Sequence, residues 1–419
     1  MERELSINPR SRLLKEIIRP EDALLVWCAR KCPEEERAEQ IRRLIREGID
    51  WPYLIEASSR HGLSPLLYKY FESNPVEGVP KDILDRLRGR FRNNVLWNLA
   101  RTRELLKHLD LFDAEGVRAI PYKGPILAHL AYGDISLRQF DDLDIFIPLQ
   151  HLKTAKDLLL SQGYHIDFIL TDRQEDSYLK YKEQYSFNND KNKILVEIHW
   201  QIVSRYYSIP VDVDELLKRL QPLSLPGREV MTFSPEDLLL ILCIHGSKHL
   251  WQRLAWICDL GNLIEVCKQM DWERVLEKTC QMQIDRIVLV GLFLAKELVG
   301  IELPERIIRE FDHNSEIRKL AAKVYKRLFK NGHTSDGLLE EHLFHLRLKE
   351  HLTDKARYCL ELGIVPNLGD WKAVSLPDSL FPLYYLIRPF RLAMTYGPRL
   401  FKQMIKGSRY VKNSIEHRA

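Results

Sequence analysis

One stretch of this 419-residue chain, from about residue 116 to 203, alternates short apolar strands with helices, whereas the sequence on either side follows a helical pattern. A strand over 117–122 is followed by a Gly turn, a helix over 125–132 and a second strand over 143–147. Such alternation is typical of an α/β or α+β core. We therefore predict an α+β fold, mostly α, with a small mixed sheet flanked by N-terminal and C-terminal helical regions.

The helical flanks set the predicted domain boundaries. Ser234, Pro235 and Asp237 form a strong helix start beyond the core. Helices are predicted over 13–18, 23–30, 35–45 and 81–115, and later over 251–268, 272–299, 306–330 and 338–362, with an irregular connection over 365–382. The predicted domains are an N-terminal helical region (1–115), a core (116–225) and a C-terminal helical domain with a basic tail (226–419).

Composition limits the class of protein. The net charge is only +4 with 29% charged residues, which does not indicate bulk nucleic-acid binding. The seven cysteines are odd in number and contain no Cys-x-x-Cys pair, so we expect reduced thiols in a cytoplasmic protein. No signal peptide is recognisable, and the apolar stretch over 381–401 contains three arginines, which argues against a transmembrane helix.

Three acidic residues lie in or beside the predicted strands. Asp142 and Asp144 flank Leu143, and residues two apart in a strand point to the same side. Their carboxylates repel unless a cation lies between them, and magnesium prefers such oxygen ligands. Glu197 is a third acid, between Val196 and Ile198 on another strand. A solvated sheet face is the alternative reading for these acids.

Five short segments accompany the predicted elements: YKG (122–124), LRQFDDLDI (137–145), VEIHW (196–200), HGSKH (245–249) and LAWICDL (254–260). Together with the order of the elements, they resemble the DNA polymerase β-like nucleotidyltransferase superfamily, and within it a bacterial family of uncharacterised nucleotidyltransferases. The resemblance covers roughly residues 35 to 270. Each segment is short, and the specificity lies in their combination and order.

The resemblance implies an enzyme that uses Mg²⁺ or Mn²⁺ and a nucleoside triphosphate, with ATP expected as the nucleotide. Asp142, Asp144 and Glu197 are the implied metal ligands and catalytic residues. A nucleotidyl group would pass to an unknown small-molecule, peptide or protein acceptor, and pyrophosphate would leave. Glu197 stands where the superfamily often has Asp, which keeps the charge and lengthens the reach.

Phosphate binding is expected at the turn before the first helix of the core. Gly124 would let the backbone approach the phosphates, and the helix beginning at Pro125 would direct its positive end at them. The superfamily usually has Gly-Ser or Gly-Gly here, so Lys123 is predicted to take over part of this work. Arg138 is a second expected phosphate partner, with a salt bridge to Asp141 as the alternative.

Further residues are candidates for the same site. His199 lies two residues from Glu197 and could orient an acceptor, act as a base or be a structural hydrogen-bonding histidine. The expected nucleotide-binding residues of the C-terminal domain are His245, Lys248, His249, Trp256 and Asp259. There are three alternatives. His245 and His249 could bind zinc, Trp256 could occupy a core position, and Asp259 could hold Lys248 or His249 in place.

The chain ends in a basic aromatic tail. From Phe381 onward there are eight Lys or Arg and one Glu. RNA, an acidic peptide, a membrane surface or plain solvent could face this tail. The functional alternatives to an active transferase on a small molecule, peptide or protein are therefore an RNA-directed nucleotidyltransferase and a non-catalytic protein that senses nucleotide.

Overall fold

The computed structural model describes residues 19–329, 337–395 and 397, so the helix predicted over 13–18 and most of the basic tail lie outside the described residues. Helices make up most of the described chain, together with a four-stranded mixed sheet and a separate two-stranded hairpin. The predicted class, α+β and mostly α, is thereby confirmed, with helical regions before and after the sheet.

The helices are numbered in chain order over the described residues. Before the sheet come α1 (Pro20–Ala29), α2 (Glu34–Glu47), α3 (Trp51–Arg60), α4 (Ser64–Ser73) and α5 (Lys81–Ala114). Among the strands lie α6 (Pro125–Tyr132), α7 (Leu152–Ser161), α8 (Asp172–Tyr181) and α9 (Val213–Leu217). After them come α10 (Pro235–Lys248), α11 (Leu254–Val266), α12 (Trp272–Gln281), α13 (Asp285–Leu294), α14 (Glu305–His313), α15 (Ser315–Phe329), α16 (Gly337–Leu348), α17 (Leu352–Ile364), α18 (Leu368–Ala373) and α19 (384–395).

The main sheet has four strands, β1 (Ile120–Pro121), β2 (Asp142–Phe146), β3 (Gln184–Asn188) and β4 (Leu195–His199). Their order across the sheet is β1-β2-β4-β3. The central pair, β2 and β4, is parallel, whereas β1 and β3 pair antiparallel at the two edges. Apolar residues of the central strands, among them Leu143, Ile145, Val196 and Ile198, are fully buried. The two central strands therefore hold the acidic residues on a rigid, well-packed base.

Local sequence explains where the helices beside the sheet begin. The Ser234 side chain accepts a hydrogen bond from the backbone N–H of Asp237, and Pro235 occupies the first position of α10, as predicted. Helix α6 begins at Pro125 and ends at Gly133, which adopts a left-handed conformation with φ 69°. Helix α11 packs against both α6 and α10.

Three predicted long helices are each divided in two. The predicted helix over 272–299 is interrupted near Gln283, whose φ of 55° is incompatible with a right-handed helix. The one over 306–330 breaks at Asn314, whose side chain accepts a hydrogen bond from the N–H of Glu316 and starts α15. The one over 338–362 becomes α16 and α17. Periodicity continues across these breaks because both halves bury apolar faces.

The helical pattern predicted beyond about residue 203 was wrong for one segment, where a hairpin forms. Strands β5 (Gln221–Leu225) and β6 (Arg228–Thr232) pair antiparallel around Pro226 and Gly227. Gly227 has φ 88°, a conformation that favours glycine. The Pro-Gly dipeptide is the turn signal from which this hairpin could have been predicted.

The described residues form two compact units. The larger contains 19–167, 184–202 and 210–329, and the smaller contains 168–183, 203–209 and the described residues from 337 onward. The three predicted domains, 1–115, 116–225 and 226–419, remain a prediction. Across the described residues, no helix combines the length and the apolar character that crossing a bilayer requires.

Candidate active site

The parallel register of β2 and β4 brings the predicted carboxylates together. Asp144 pairs directly with Glu197, and Asp142 lies two residues earlier on β2. Since alternate residues of a strand point to the same side, Asp142 and Asp144 share one face of the sheet, as do Glu197 and His199. Burial and the negative charges of Asp144 and Glu197 raise the pKa of Asp142, and the two charge effects indicate that all three acids belong to one cluster.

Lys123 supplies positive charge to this carboxylate cluster. Its Nζ lies 2.5 Å from Oδ1 of Asp144, and the two residues expose only 9% and 3% of their surface. Burial by itself would lower the pKa of Lys123 and raise that of Asp144. Their mutual attraction outweighs burial, so the pKa of Lys123 lies above its ordinary value and that of Asp144 well below. Asp144 is therefore a carboxylate at neutral pH.

His199 lies between two of the carboxylates. Its Nε2 is 3.1 Å from Oδ1 of Asp144 and 3.6 Å from Oε2 of Glu197. Burial lowers the pKa of His199, but its hydrogen bond to Asp144 and its contact with Glu197 raise that pKa above the ordinary value. The other ring nitrogen, Nδ1, is buried without a hydrogen-bond partner among the described residues. His199 is thus part of the acidic cluster, and the predicted catalytic role stays a prediction.

Asp142 shows how concentrated the negative charge is. Burial, together with the charges of Asp144 and Glu197, raises the pKa of Asp142 to about 7, although Lys123 acts in the opposite direction. One lysine therefore does not neutralise the three acids. A divalent cation would relieve the repulsion that remains.

One group of side chains in the described part of the chain has the spacing of a metal site. Ligand atoms of Asp144, Glu197 and His199 all lie within 4.8 Å of one another. The predicted ligand set was Asp142, Asp144 and Glu197, so the geometry brings two of these together with a histidine. A role for Asp142 as a further ligand remains a prediction.

The turn that contains Gly124 connects Lys123 to α6. Gly124 has φ 51° and ψ −123°, a conformation that side chains rarely allow. A Cβ atom at this position would lie 3.1 Å from the carbonyl oxygen of Asp142. Glycine therefore allows the start of α6, the positive end of its dipole, to lie against the start of β2. The predicted phosphate-binding role of this turn remains a prediction.

Arg138 and Asp259 form a buried ion pair. Nε and Nη2 of Arg138 each donate a hydrogen bond of 2.9 Å to one carboxylate oxygen of Asp259. Tyr132 donates a third, of 2.8 Å, to the same carboxylate. The alternative partner of Arg138, Asp141, instead lies 3.7 Å from Arg101. The sequence offers Lys248 or His249 as partners of Asp259, whereas the described contacts of its carboxylate go to α6 and the loop after it.

The candidate residues at the end of α10 include an aromatic cluster. The rings of His245, His249 and Trp256 lie within 4.8 to 5.4 Å of one another, centroid to centroid. Burial and the charges of Lys123 and His249 hold the pKa of His245 well below its ordinary value. Lys248 is half-buried in the last turn of α10. Within the described chain, no third histidine, cysteine or acid joins the two histidines as a metal site.

Two residues near the carboxylates were not predicted as site residues. Ser186 lies opposite Glu197 on β3, and its hydroxyl donates a hydrogen bond of 3.3 Å to Oε1 of Glu197. The Tyr122 ring contacts His199 edge-on, with 5.5 Å between ring centroids. The alternation of polar and apolar residues in β3 is the signal that could have identified Ser186, because its neighbours Tyr185 and Phe187 are buried.

Comparisons with known proteins identify the family of this chain. The chain is similar to one solved structure, the lincosamide antibiotic adenylyltransferase LnuA with lincomycin bound, with 18% identity, a TM-score of 0.27 and coverage of 39% of this chain and 96% of that chain. No curated protein matches the sequence. The profile of the family described as uncharacterised nucleotidyltransferase matches residues 47–300, which is more than half of the chain and includes every candidate site residue. The chain belongs to this nucleotidyltransferase family.

Proposed function

We propose that the enzyme transfers a nucleoside monophosphate group from ATP to a hydroxyl or phosphate of a small-molecule, peptide or protein acceptor, with Mg²⁺ or Mn²⁺ as cofactor. Membership of the family supports transfer of a nucleotidyl group in general. The pairing of Asp144 with Glu197 across β2 and β4 is the observation that carries the proposal. This pairing supports a divalent ion because both acids lie beside a third, Asp142, whose pKa is raised by burial and by their two charges.

The donor atoms of the cluster fit a divalent ion. Asp144, Glu197 and His199 would hold it, with Asp142 as a further carboxylate ligand. Carboxylate oxygens suit Mg²⁺ and Mn²⁺, and the imidazole nitrogen favours Mn²⁺ more than Mg²⁺. When bound, the ion supplies charge neutralisation at the phosphates and polarises their oxygens.

In the proposal, Lys123 and the start of α6 bind the phosphates of ATP. The ammonium of Lys123 is already in the cluster, 2.5 Å from Asp144, so a short movement of a flexible side chain would suffice. Gly124 admits the phosphate oxygens to the backbone. Arg138 is held by Asp259, and its Nη1 lies 3.5 Å from the carbonyl oxygen of Gly124, which supports a positioning role for Arg138 at this turn.

The acceptor would react on the Glu197 side of the cluster. Its oxygen attacks the α-phosphorus, the bond to the bridging oxygen breaks, and pyrophosphate leaves. Glu197 would accept the acceptor's proton, and His199, whose Nε2 lies 3.6 Å from Oε2 of Glu197, would orient that carboxylate. We assign the base of the nucleotide to His245, His249 and Trp256, with Lys248 on phosphate.

A cytoplasmic location is part of the proposal. All seven cysteines lie in the described residues and all are free thiols. Thiols that persist unpaired suit a reducing compartment. The oxidation state of the cysteines tests this point. Cells are lysed in the presence of an alkylating reagent, and the alkylated thiols are then counted in the purified protein.

Calorimetry of ATP binding with and without Mg²⁺ tests the metal site. Wild type should bind ATP more tightly with Mg²⁺, and Asp144→Asn and Glu197→Gln should lose that difference. Asp141 offers a matched control because it adjoins Asp142 but its side chain is 61% exposed. Asp141→Asn should therefore behave as wild type. Equal Mg²⁺ dependence in wild type and Asp144→Asn would contradict the proposal.

Labelled nucleotides test the reaction itself. With ATP labelled at the α-phosphorus, label should move to an acceptor in a cell extract, and pyrophosphate should appear in equal amount. Asp144→Asn should abolish both. Release of inorganic phosphate without transfer of the α-label would identify a different reaction, and ATP binding without any turnover would identify a nucleotide sensor.

A further inference from the structure

A row of exposed apolar side chains runs along one face of α19 and the turn before it. Leu383, Leu386, Phe390 and Met394 expose 43%, 64%, 74% and 81% of their surface. Their intervals of three, four and four residues place them on one side of a helix. A contiguous apolar surface of this kind marks a site of interaction more often than a scatter of single residues does.

The opposite face of α19 fixes its orientation. Tyr384 is fully buried, and its hydroxyl donates a hydrogen bond of 2.7 Å to the carbonyl oxygen of Val374. Arg388 and Arg391 both pair with Asp370, at 2.7 and 2.5 Å. These three inward residues, spaced by four and three, hold the polar side of the helix against its own unit. The apolar row is therefore directed outward by specific contacts.

Exposed apolar residues concentrate in this smaller unit. Of the eighteen large hydrophobic residues that are exposed in the described chain, eleven belong to it. They are Ile169, Leu343, Leu352, Leu360, Ile364, Val374, Leu380, Leu383, Leu386, Phe390 and Met394. The larger unit has seven over more than three times as many residues. The smaller unit therefore exposes more large apolar side chains for its size than the larger unit does.

The sequence that follows α19 is strongly basic. Residues 398–419 contain six Lys or Arg and a single acid. These are Arg399, Lys402, Lys406, Arg409, Lys412 and Arg418, with Glu416 as the acid. Two aromatic residues, Phe401 and Tyr410, are interspersed among them. An outward apolar row followed by such a segment combines the two features that bind an anionic bilayer.

We propose that the apolar row of α19 docks this enzyme on the surface of an anionic lipid bilayer. The row would enter the boundary between headgroups and acyl chains, and the cations after residue 397 would contact the anionic headgroups. Lipid fits better than RNA because three of the four side chains of the row are aliphatic, whereas single-stranded nucleic acid is bound by stacking on aromatic rings. The surface lies apart from the proposed catalytic cluster in sequence, and the inference does not depend on the reaction.

Co-flotation of the full chain with vesicles tests the proposal. Wild type should float with vesicles of phosphatidylglycerol and phosphatidylcholine, and much less with phosphatidylcholine alone. Phe390→Ser/Met394→Ser should reduce vesicle partitioning at least about tenfold, because two exposed apolar side chains lose their burial in lipid. Leu96→Ser is the matched control, since Leu96 is 65% exposed on α5 of the larger unit. This control should float as wild type does.

A truncation after Gly397 separates charge from apolar insertion. It should lose the preference for phosphatidylglycerol, and 1 M salt should have the same effect on wild type, because the Debye length then falls to about 3 Å. The melting temperature of Phe390→Ser/Met394→Ser should equal that of wild type, since both residues are exposed.

Several results would overturn the proposal. One is flotation of Phe390→Ser/Met394→Ser equal to that of wild type. Another is a wild type that does not float with vesicles but forms a dimer in vesicle-free solution, where the double variant is a monomer. That result would assign the row to a second copy of the chain. A third is single-stranded RNA binding that requires Phe390, again without flotation of wild type.

Discussion

Lys123 and Asp144 meet inside the carboxylate cluster, with 2.5 Å between Nζ and Oδ1, although they lie on different elements and 21 positions apart. Nε2 of His199 approaches the same oxygen, at 3.1 Å. The ammonium thus occupies a coordination direction of Asp144 that a divalent ion would otherwise use. Metal binding and the Lys123–Asp144 pair should therefore compete.

Lys123→Met should separate metal affinity from catalysis. Removal of the ammonium leaves three acids with less compensation, so Mn²⁺ affinity should increase about tenfold, equivalent to ~1.4 kcal/mol. Nucleotidyl transfer should fall about 100-fold, because a preorganised positive charge near the phosphates is lost. Isothermal titration with Mn²⁺ and a single-turnover transfer assay measure the two effects.

Lys107→Met is the control for this substitution. Lys107 lies on α5, and its side chain is 53% exposed. Neither Mn²⁺ affinity nor transfer should change in this variant. If Lys123→Met bound Mn²⁺ more weakly than wild type, the ammonium would be supporting the metal site instead of competing with it.

Gly124→Ala should damage both the fold and the site. The residue has φ 51°, and the added Cβ would lie 3.1 Å from the carbonyl oxygen of Asp142. We expect the free energy of unfolding to fall by about 1–3 kcal/mol, and the Mg²⁺-dependent binding of ATP to weaken. Urea denaturation and calorimetry measure these changes.

Gly89→Ala is the matched substitution for Gly124→Ala. Gly89 lies within α5, and a Cβ there would meet nothing within 4 Å. Because alanine is the better helix former, this variant should be more stable than wild type by about 0.5–1 kcal/mol. Similar losses of stability in both variants would mean that the turn at Gly124 tolerates a side chain.

The sequence predicted much of the sheet region because strong local signals coincide there. Pro125 and Gly133 bound α6, and the caps at Ser234 and Pro235 start α10, as predicted. Helix α8 lies in a stretch without a predicted element, since its ten residues carry few apolar side chains and its start depends on a capping box at Thr171. Breaks such as Asn314 depend on tertiary packing as much as on local sequence.

Within the candidate site, strand periodicity predicted which acids share a face, but not their partners. The pairing of Asp144 with Glu197 follows from the register of two strands that are separated by 48 residues. Only the family resemblance indicated that these two acids belong to one site. Arg138 and Asp259 are 121 positions apart in the chain, and their pairing depends on the packing of α11 against α6. No spacing rule in the sequence contains that information.

Loss of one partner of the Arg138–Asp259 pair should strongly destabilise the protein. Both side chains are buried, with three hydrogen bonds to the Asp259 carboxylate if Tyr132 is included. Asp259→Asn leaves a buried guanidinium without its counter-charge and should lower the free energy of unfolding by about 3–5 kcal/mol. Chemical denaturation of the variant and of wild type measures the difference.

The exposed pair of Arg88 and Asp85 provides the contrast. Their side chains are 48% and 53% exposed at a separation of 3.1 Å. Asp85→Asn should change stability by less than about 1 kcal/mol. The double variant Arg138→Met/Asp259→Leu should recover part of the loss seen in Asp259→Asn, because it removes the uncompensated charge. A double variant less stable than Asp259→Asn would show that packing, not charge, dominates there.

His61 should make the protein less stable in mild acid. Burial, together with the charge of Arg60, lowers the pKa of His61 from 6.5 to about 4. Between these values the unfolded chain binds a proton that the folded chain does not, so the free energy of unfolding falls as the pH decreases from 6.5 to 4 and levels off below. A shift of this size corresponds to about 3 kcal/mol.

His61→Gln, which cannot take up that proton, should show a shallower decline. Because other groups titrate identically in both proteins, the stability difference between wild type and His61→Gln, measured by denaturation at intervals from pH 8 to 4, isolates His61. The difference should stay constant above pH 7, and on acidification wild type should lose stability relative to His61→Gln. Parallel curves for the two proteins would show that His61 does not titrate in this range.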